Sequence, residues 1–261
     1  MTSQTTINGL LGGAVSAGTL SSQSSMLIGN LGPMVIAGAN GMDAEDIEAT
    51  DVTLVTLLID ASSSIQSSGL EQAVRDGYNE MLEAFAGSRE HDSILVSAWK
   101  FDDKSHLLHS YVPVKDATRL DRKNYRGQGT TRLYDTWCDA LLANVAYAQK
   151  LRDSGTPVRS LAVVITDGAD VGSKRRVTEC KKLTQDLLAS EQFVLAFVGV
   201  GDERFFRGIA DAMGVPDGSI EVQTNATASG LRRVFQMVSR SAIRASQGQI
   251  QAGPQAGFFR P

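Results

Sequence analysis

The sequence predicts an open, doubly wound α/β fold: a mostly parallel central sheet with helices on both faces. Three observations carry this expectation. Several short segments are apolar throughout and rich in β-branched residues, as strands covered on both faces must be. Between them lie amphipathic stretches whose apolar residues recur at helical spacing. The two kinds alternate along the chain, and strand–helix alternation makes neighbouring strands parallel.

Taken in order, residues 52–59 (VTLVTLLI) read as the first strand, ended by small polar residues. Residues 69–85 set Leu70, Val74, Tyr78, Met81, Leu82 and Phe85 on one helix face. Segments 93–101 and 106–112 are a second and third strand around a short polar turn, and 113–132 is a polar, basic connection. A helix over 133–151 precedes a strand over 160–166 that ends in Asp167-Gly168. Helix 174–190, strand 192–199, helix 203–213, strand 219–223 and helix 228–244 complete the pattern.

These 261 residues are enough to bury a core without disulfide or metal staples. The expected organisation is a leader over 1–45, an α/β domain over 46–245 and a flexible tail over 246–261. The leader is uncharged to residue 42 and rich in Gly and Ser, so it is expected to be weakly ordered and to add little stability. Against this stand Met26, Leu27, Ile28, Leu31, Val35 and Ile36, apolar residues that favour ordering on the protein itself or on a partner. The tail, rich in Gln, Gly and Pro, is read as frayed, with a docking peptide carrying Phe258-Phe259 as the alternative.

The formal charge is −4, with no basic residue before Arg75 and seven acidic ones up to Glu71, leaving +3 for the rest. Such a balance argues against nucleic acid or an anionic membrane as the main partner. No apolar run reaches the roughly 20 residues of a membrane span, and no charged-then-apolar export signal is visible. Cys138 and Cys180 are too few for a secreted disulfide framework and read as reduced thiols. The expected compartment is cytoplasmic.

In doubly wound sheets ligands bind beyond the carboxyl ends of the strands. The first strand ends in Asp60-Ala61-Ser62-Ser63-Ser64 and the fourth in Thr166-Asp167-Gly168. The loop before helix 133–151 adds Gly129-Thr130-Thr131-Arg132-Leu133-Tyr134-Asp135. Two carboxylates and several hydroxyls, with no thiol or imidazole, suit a small hard cation such as Mg²⁺. Each piece alone is ordinary turn chemistry; their joint placement at strand ends is the specific signal.

This set resembles the von Willebrand factor A family and its metal-ion-dependent adhesion site. The family's Asp-x-Ser-x-Ser stands here as Asp60, Ser62 and Ser64, its separate threonine aligns with Thr131, and its later Thr-Asp-Gly with 166–168. Thr130 replaces the usual second glycine of the threonine loop, so Thr130 is an alternative to Thr131. The resemblance, over about residues 50–245, implies Mg²⁺ or Mn²⁺ held by Asp60, Ser62, Ser64, Thr131 and Asp167. It also implies an open position filled by an Asp or Glu of a partner protein. Bacterial single-domain members resemble adaptors for AAA+ ATPases or signalling proteins; a surface adhesion domain or a subunit of a larger assembly is the alternative.

Other chemistries fit poorly. A phosphoryl-accepting Asp-x-Asp lacks its second acid, since position 62 is Ser. Gly199-Val200-Gly201 lacks the third glycine of a dinucleotide turn, where Arg204 stands. His106 and His109 lie three apart on a strand and point to opposite faces. The basic run Lys174-Arg175-Arg176 is a solvated helix start, or a contact for an acidic partner. No nucleophile is paired with a base, so the expectation is a binding protein and not an enzyme.

Overall fold

A computed structural model describes residues 3–24, 27 and 31–260. Six strands form one sheet in the order β3-β2-β1-β4-β5-β6. They are β1 (Val52–Asp60), β2 (Ile94–Phe101), β3 (Ser105–Pro113), β4 (Val158–Thr166), β5 (Phe193–Val200) and β6 (Ile220–Gln223). All pairings are parallel except that of β2 with β3, which a tight turn joins as an antiparallel edge. The expected doubly wound α/β architecture is therefore the observed one.

β1 lies at the centre, between β2 and β4, and every one of its residues is buried. Successive side chains of a strand point to opposite faces. Val55, Leu57 and Ile59 enter one core with α4 (Glu71–Ala86) and α8 (Ala228–Ser246). Leu58 enters the other, against α5 (Leu133–Asp153), α6 (Val177–Ala189) and α7 (Glu203–Ala212). Close packing is visible at Gly77, where a Cβ would stand 2.3 Å from the Phe235 ring, so α4 and α8 approach closely.

The weakly ordered leader does not match the structure. Residues Gln4–Ser16 form α1, capped by the Ser3 hydroxyl, and Ile7, Leu11 and Ala14 make a buried stripe against α5. A second helix, α2 (Pro33–Gly38), buries Val35 and sits between α5 and β3. Gly38 presses on Trp99, where a Cβ would come within 2.3 Å, and Ser110 donates to its carbonyl oxygen at 2.5 Å. Asp186 accepts from the hydroxyls of Ser21 (2.5 Å) and Ser24 (2.6 Å), holding the connecting stretch to α6. Leu31 is buried, and Leu27 and Ile36 pack against the same cluster; Met26 and Ile28 lie outside the described residues.

The tail is likewise not frayed. Ile250, Ala256 and Phe258 are buried in the core shared with α4 and α8. The Gly253 amide donates to the Phe193 carbonyl at 2.9 Å, and Phe259 to Gly218 at 3.1 Å. The docking peptide is the chain's own. Among the described residues no helix is long and apolar enough to cross a membrane.

Each fully buried aliphatic side chain contributes about 1.5–3 kcal/mol. Deleting residues 2–42 is therefore expected to lower the thermal midpoint by more than about 10 °C or to prevent folding, measured by circular dichroism. Phe258→Ala is expected to cost about 3–5 kcal/mol in a denaturant titration. An unchanged midpoint in either would return these segments to the role of appendages.

Candidate metal centre

The site forms where three loops meet at the carboxyl edge of the sheet. β1 delivers Asp60 to that edge with 1% of its surface exposed. The Ser62 amide donates to its Oδ1 at 2.8 Å and the Thr166 hydroxyl to its Oδ2 at 2.5 Å. Ser62 then starts a one-turn helix, α3 (Ser63–Ser67), which turns the Ser64 side chain back toward it. The two hydroxyls lie 2.9 Å apart, and Ser64 Oγ donates to Asp167 Oδ1 at 2.7 Å.

The loop before α5 is laced to this turn. Gln128 donates its amide to the Ala61 carbonyl at 2.8 Å, and Ser63 donates to Gly129 at 3.2 Å. Gly127 has no room for a side chain: a Cβ would lie 2.9 Å from the Ser62 carbonyl oxygen. Thr131 follows, buried, its Oγ1 3.0 Å from where a Cβ of Gly168 would stand. Its carbonyl accepts from the Val171 amide at 2.7 Å, joining this loop to the one after β4. Thr130 is exposed and faces Gly172. The structure thus turns Thr131, and not Thr130, toward Asp167-Gly168.

Asp60, Ser62, Ser64 and Asp167 accordingly form one hydrogen-bonded set, with Thr131 packed on its flank. Burial pushes the Asp60 carboxyl up to about 6 and raises that of Asp167 as well. Among the described residues neither carboxylate has a Lys, Arg or His partner within ion-pair distance. Buried carboxylates without a cation are costly, and a divalent ion would supply the missing charge. The donor set fits that ion: two carboxylates match its charge and the hydroxyls supply neutral oxygens. No three His, Cys, Asp or Glu side chains among the described residues could hold a metal by themselves, so the hydroxyls are indispensable to any such centre.

Several contributors carry no readable sequence signal. Tyr125, inside the basic connection, is buried and donates its hydroxyl to the Asp60 carbonyl oxygen. Asp102 accepts from His106 at 3.1 Å and from Gln128 at 3.2 Å, while its carbonyl receives the Arg132 amide. Asp135, in the threonine loop, instead accepts the amides of Lys174 and Arg175 at 2.9–3.1 Å and so holds α5 to the loop entering α6. His109 is mostly buried and accepts from the Thr118 amide, and burial lowers its pKa to about 4. Gly199 makes way for Phe206, whose Cβ would lie 2.4 Å from an added methyl, so its role is packing.

The chain matches no protein-family profile and no curated protein. Among solved structures it is similar to proximal thread matrix protein 1 (PTMP1) from the mussel byssus, at 18% identity and TM-score 0.53, over 74% of this chain and 46% of that one. A form of PTMP1 described as having a zinc-occupied MIDAS motif aligns at 17% identity and TM-score 0.50, over 74% and 46%. The pilus adhesin SpaC from Lactobacillus rhamnosus GG aligns at 13% identity and TM-score 0.55, over 76% and 31%. The PilB minor pilin from Streptococcus sanguinis aligns at 12% and 0.52, over 76% and 63%. The chain thus spans less than two thirds of each of these proteins, and the likeness is one of fold.

Among the described residues the buried Asp60 carboxylate is met by neutral hydrogen-bond donors alone. Asp60→Asn keeps an acceptor for the Ser62 amide and gives Thr166 a donor, whose hydroxyl proton can turn to the Gly168 carbonyl 3.1 Å away. In EDTA this variant is expected to be more stable than the parent by about 1–3 kcal/mol at pH 7.5. A less stable variant under those conditions would show that the charge is already compensated within the fold.

Proposed function

We propose that this chain is a divalent-cation-dependent protein-binding module. In this reading Asp60, Ser62, Ser64, Thr131 and Asp167 hold Mg²⁺ or Mn²⁺, and a partner's Asp or Glu completes the coordination. One observation carries it: five oxygen-bearing side chains from three loops gather at one sheet edge, and among the described residues neither buried Asp60 nor part-buried Asp167 pairs with a cationic side chain. A bound ion supplies an electrophilic centre with room for one more oxygen ligand.

The protein's own residues do the rest. Asp60 and Asp167 bring two negative charges, which a divalent ion would balance. Thr166, Tyr125 and the Ser62 amide fix Asp60 from three sides. With both carboxylates committed to charge balance, neither is free as a general base, and the proposed activity is binding without turnover. The zinc-occupied motif of PTMP1 supports a divalent ion on this fold, and the adhesin and pilin among the similar structures favour protein binding. They also favour the adhesion reading over the intracellular adaptor.

The protein, immobilised, should capture its partner from the cells that make it when Mg²⁺ or Mn²⁺ is present, and lose it in EDTA. Thr131→Ala should reduce capture at least about tenfold while the far-ultraviolet circular dichroism is unchanged, since one oxygen ligand is lost. Capture that is equal with and without EDTA would move the interface away from this edge. Ion-dependent turnover of a phosphoester or peptide, lost in Asp60→Asn, would replace the binding reading with a catalytic one.

A further inference from the structure

The chain's two cysteines, 42 positions apart, meet in space. Cys138 on α5 and Cys180 on α6 are both fully buried and free, with their sulfur atoms 3.4 Å apart. Among the described residues no His, Asp or Glu joins them to make a metal site. Each lies in the early turns of its helix: Cys138 is the sixth residue of α5 and Cys180 the fourth of α6. Those helices follow directly on the loops that carry Thr131 and Asp167.

The surrounding contacts hold the two helix starts together. Trp137 Nε1 donates to Thr184 Oγ1 at 3.0 Å, and Arg175 pairs with Asp139 at 3.0 Å. Asp135 takes the amides of Lys174 and Arg175. The sulfur pair sits among these links, so its approach is part of a packed interface. A disulfide bond is about 2.05 Å long, so the two sulfur atoms stand roughly 1.4 Å short of bonding distance.

We propose that Cys138 and Cys180 are a disulfide site that, when oxidised, staples α5 to α6 beneath the metal-binding loops. The oxidant is a small disulfide of the glutathione class. One cysteine thiolate attacks a sulfur of the oxidised glutathione and expels one glutathione thiolate. The second cysteine attacks the resulting mixed disulfide, forming Cys138–Cys180 and releasing the second glutathione. The two cysteine protons end on the two glutathione thiols, and the pair of electrons resides in them. Burial raises the Cys180 thiol well above its ordinary range, and the contact with Cys138 adds to this, so exchange proceeds through transient opening of the start of α6. Once closed, the bond is shielded from reductants by the same burial. The inference does not depend on what occupies the site above it.

The test uses the whole protein, reduced and then equilibrated with oxidised glutathione, both as the native form and by refolding from denaturant. Alkylation in denaturant followed by intact mass should then find neither cysteine labelled, no glutathione attached and two hydrogens lost. The oxidised monomer should melt about 5–10 °C above the reduced one, because the bond restrains a long loop of the unfolded chain. The Cys138→Ala/Cys180→Ala variant should show no such oxidant-dependent shift. Full alkylation of both cysteines after oxidative refolding, or their recovery only as glutathione adducts or cross-linked dimers, would overturn the proposal.

Discussion

A carboxylate buried at the end of the central strand is the constraint around which this protein is arranged. Asp60 lies where β1 leaves a sheet covered on both faces, and at 1% exposure it has almost no water to solvate its charge. The fold answers with hydrogen bonds from Thr166 and the Ser62 amide. None of these donors carries a charge. Burial therefore still pushes the carboxyl up to about 6, and a second carboxylate, Asp167, shares the edge through Ser64. Among the described residues no cationic side chain lies within ion-pair distance of either carboxylate.

The same burial explains the extent of the fold. β1 can be buried throughout only if both layers of helices are complete. On one face α4 and α8 suffice, drawn together at Gly77 and closed by Phe258 of the tail. On the other, α5 carries the load, and 15 of its 21 residues are buried, many of them on the side turned away from the sheet. The leader helices α1 and α2 cover that outer side. Sequence ends that look expendable by composition thus complete the helical layers on the two faces of the sheet.

Much of this was legible in the residues, for identifiable reasons. The strands were readable because burial on both faces forces continuous apolar runs, and the site because strand ends collect ligands in this topology. The leader was not, because α1 buries its stripe against a background of Thr, Gly and Ser instead of charged residues, so little amphipathic contrast remains. The better clue lay elsewhere: the 133–151 segment is apolar nearly all round, and a helix of that kind demands a cover on its far side. Tyr125 and the Asp102–His106 pair carried no spacing pattern, since their roles arise from tertiary contacts between loops. The choice between Thr131 and Thr130 likewise depended on which of two adjacent residues the loop turns inward.

The central claim is that the oxygen set at this edge is a cation site, and titration calorimetry with Mn²⁺ tests it most directly. The account predicts one ion per chain for the parent protein at neutral pH, displaced by Mg²⁺ and not by Na⁺. It predicts no measurable heat of binding when Ser62 and Ser64 are both replaced by Ala, even though both carboxylates remain. An absence of binding to the parent protein, or equal binding to the double variant, would contradict it.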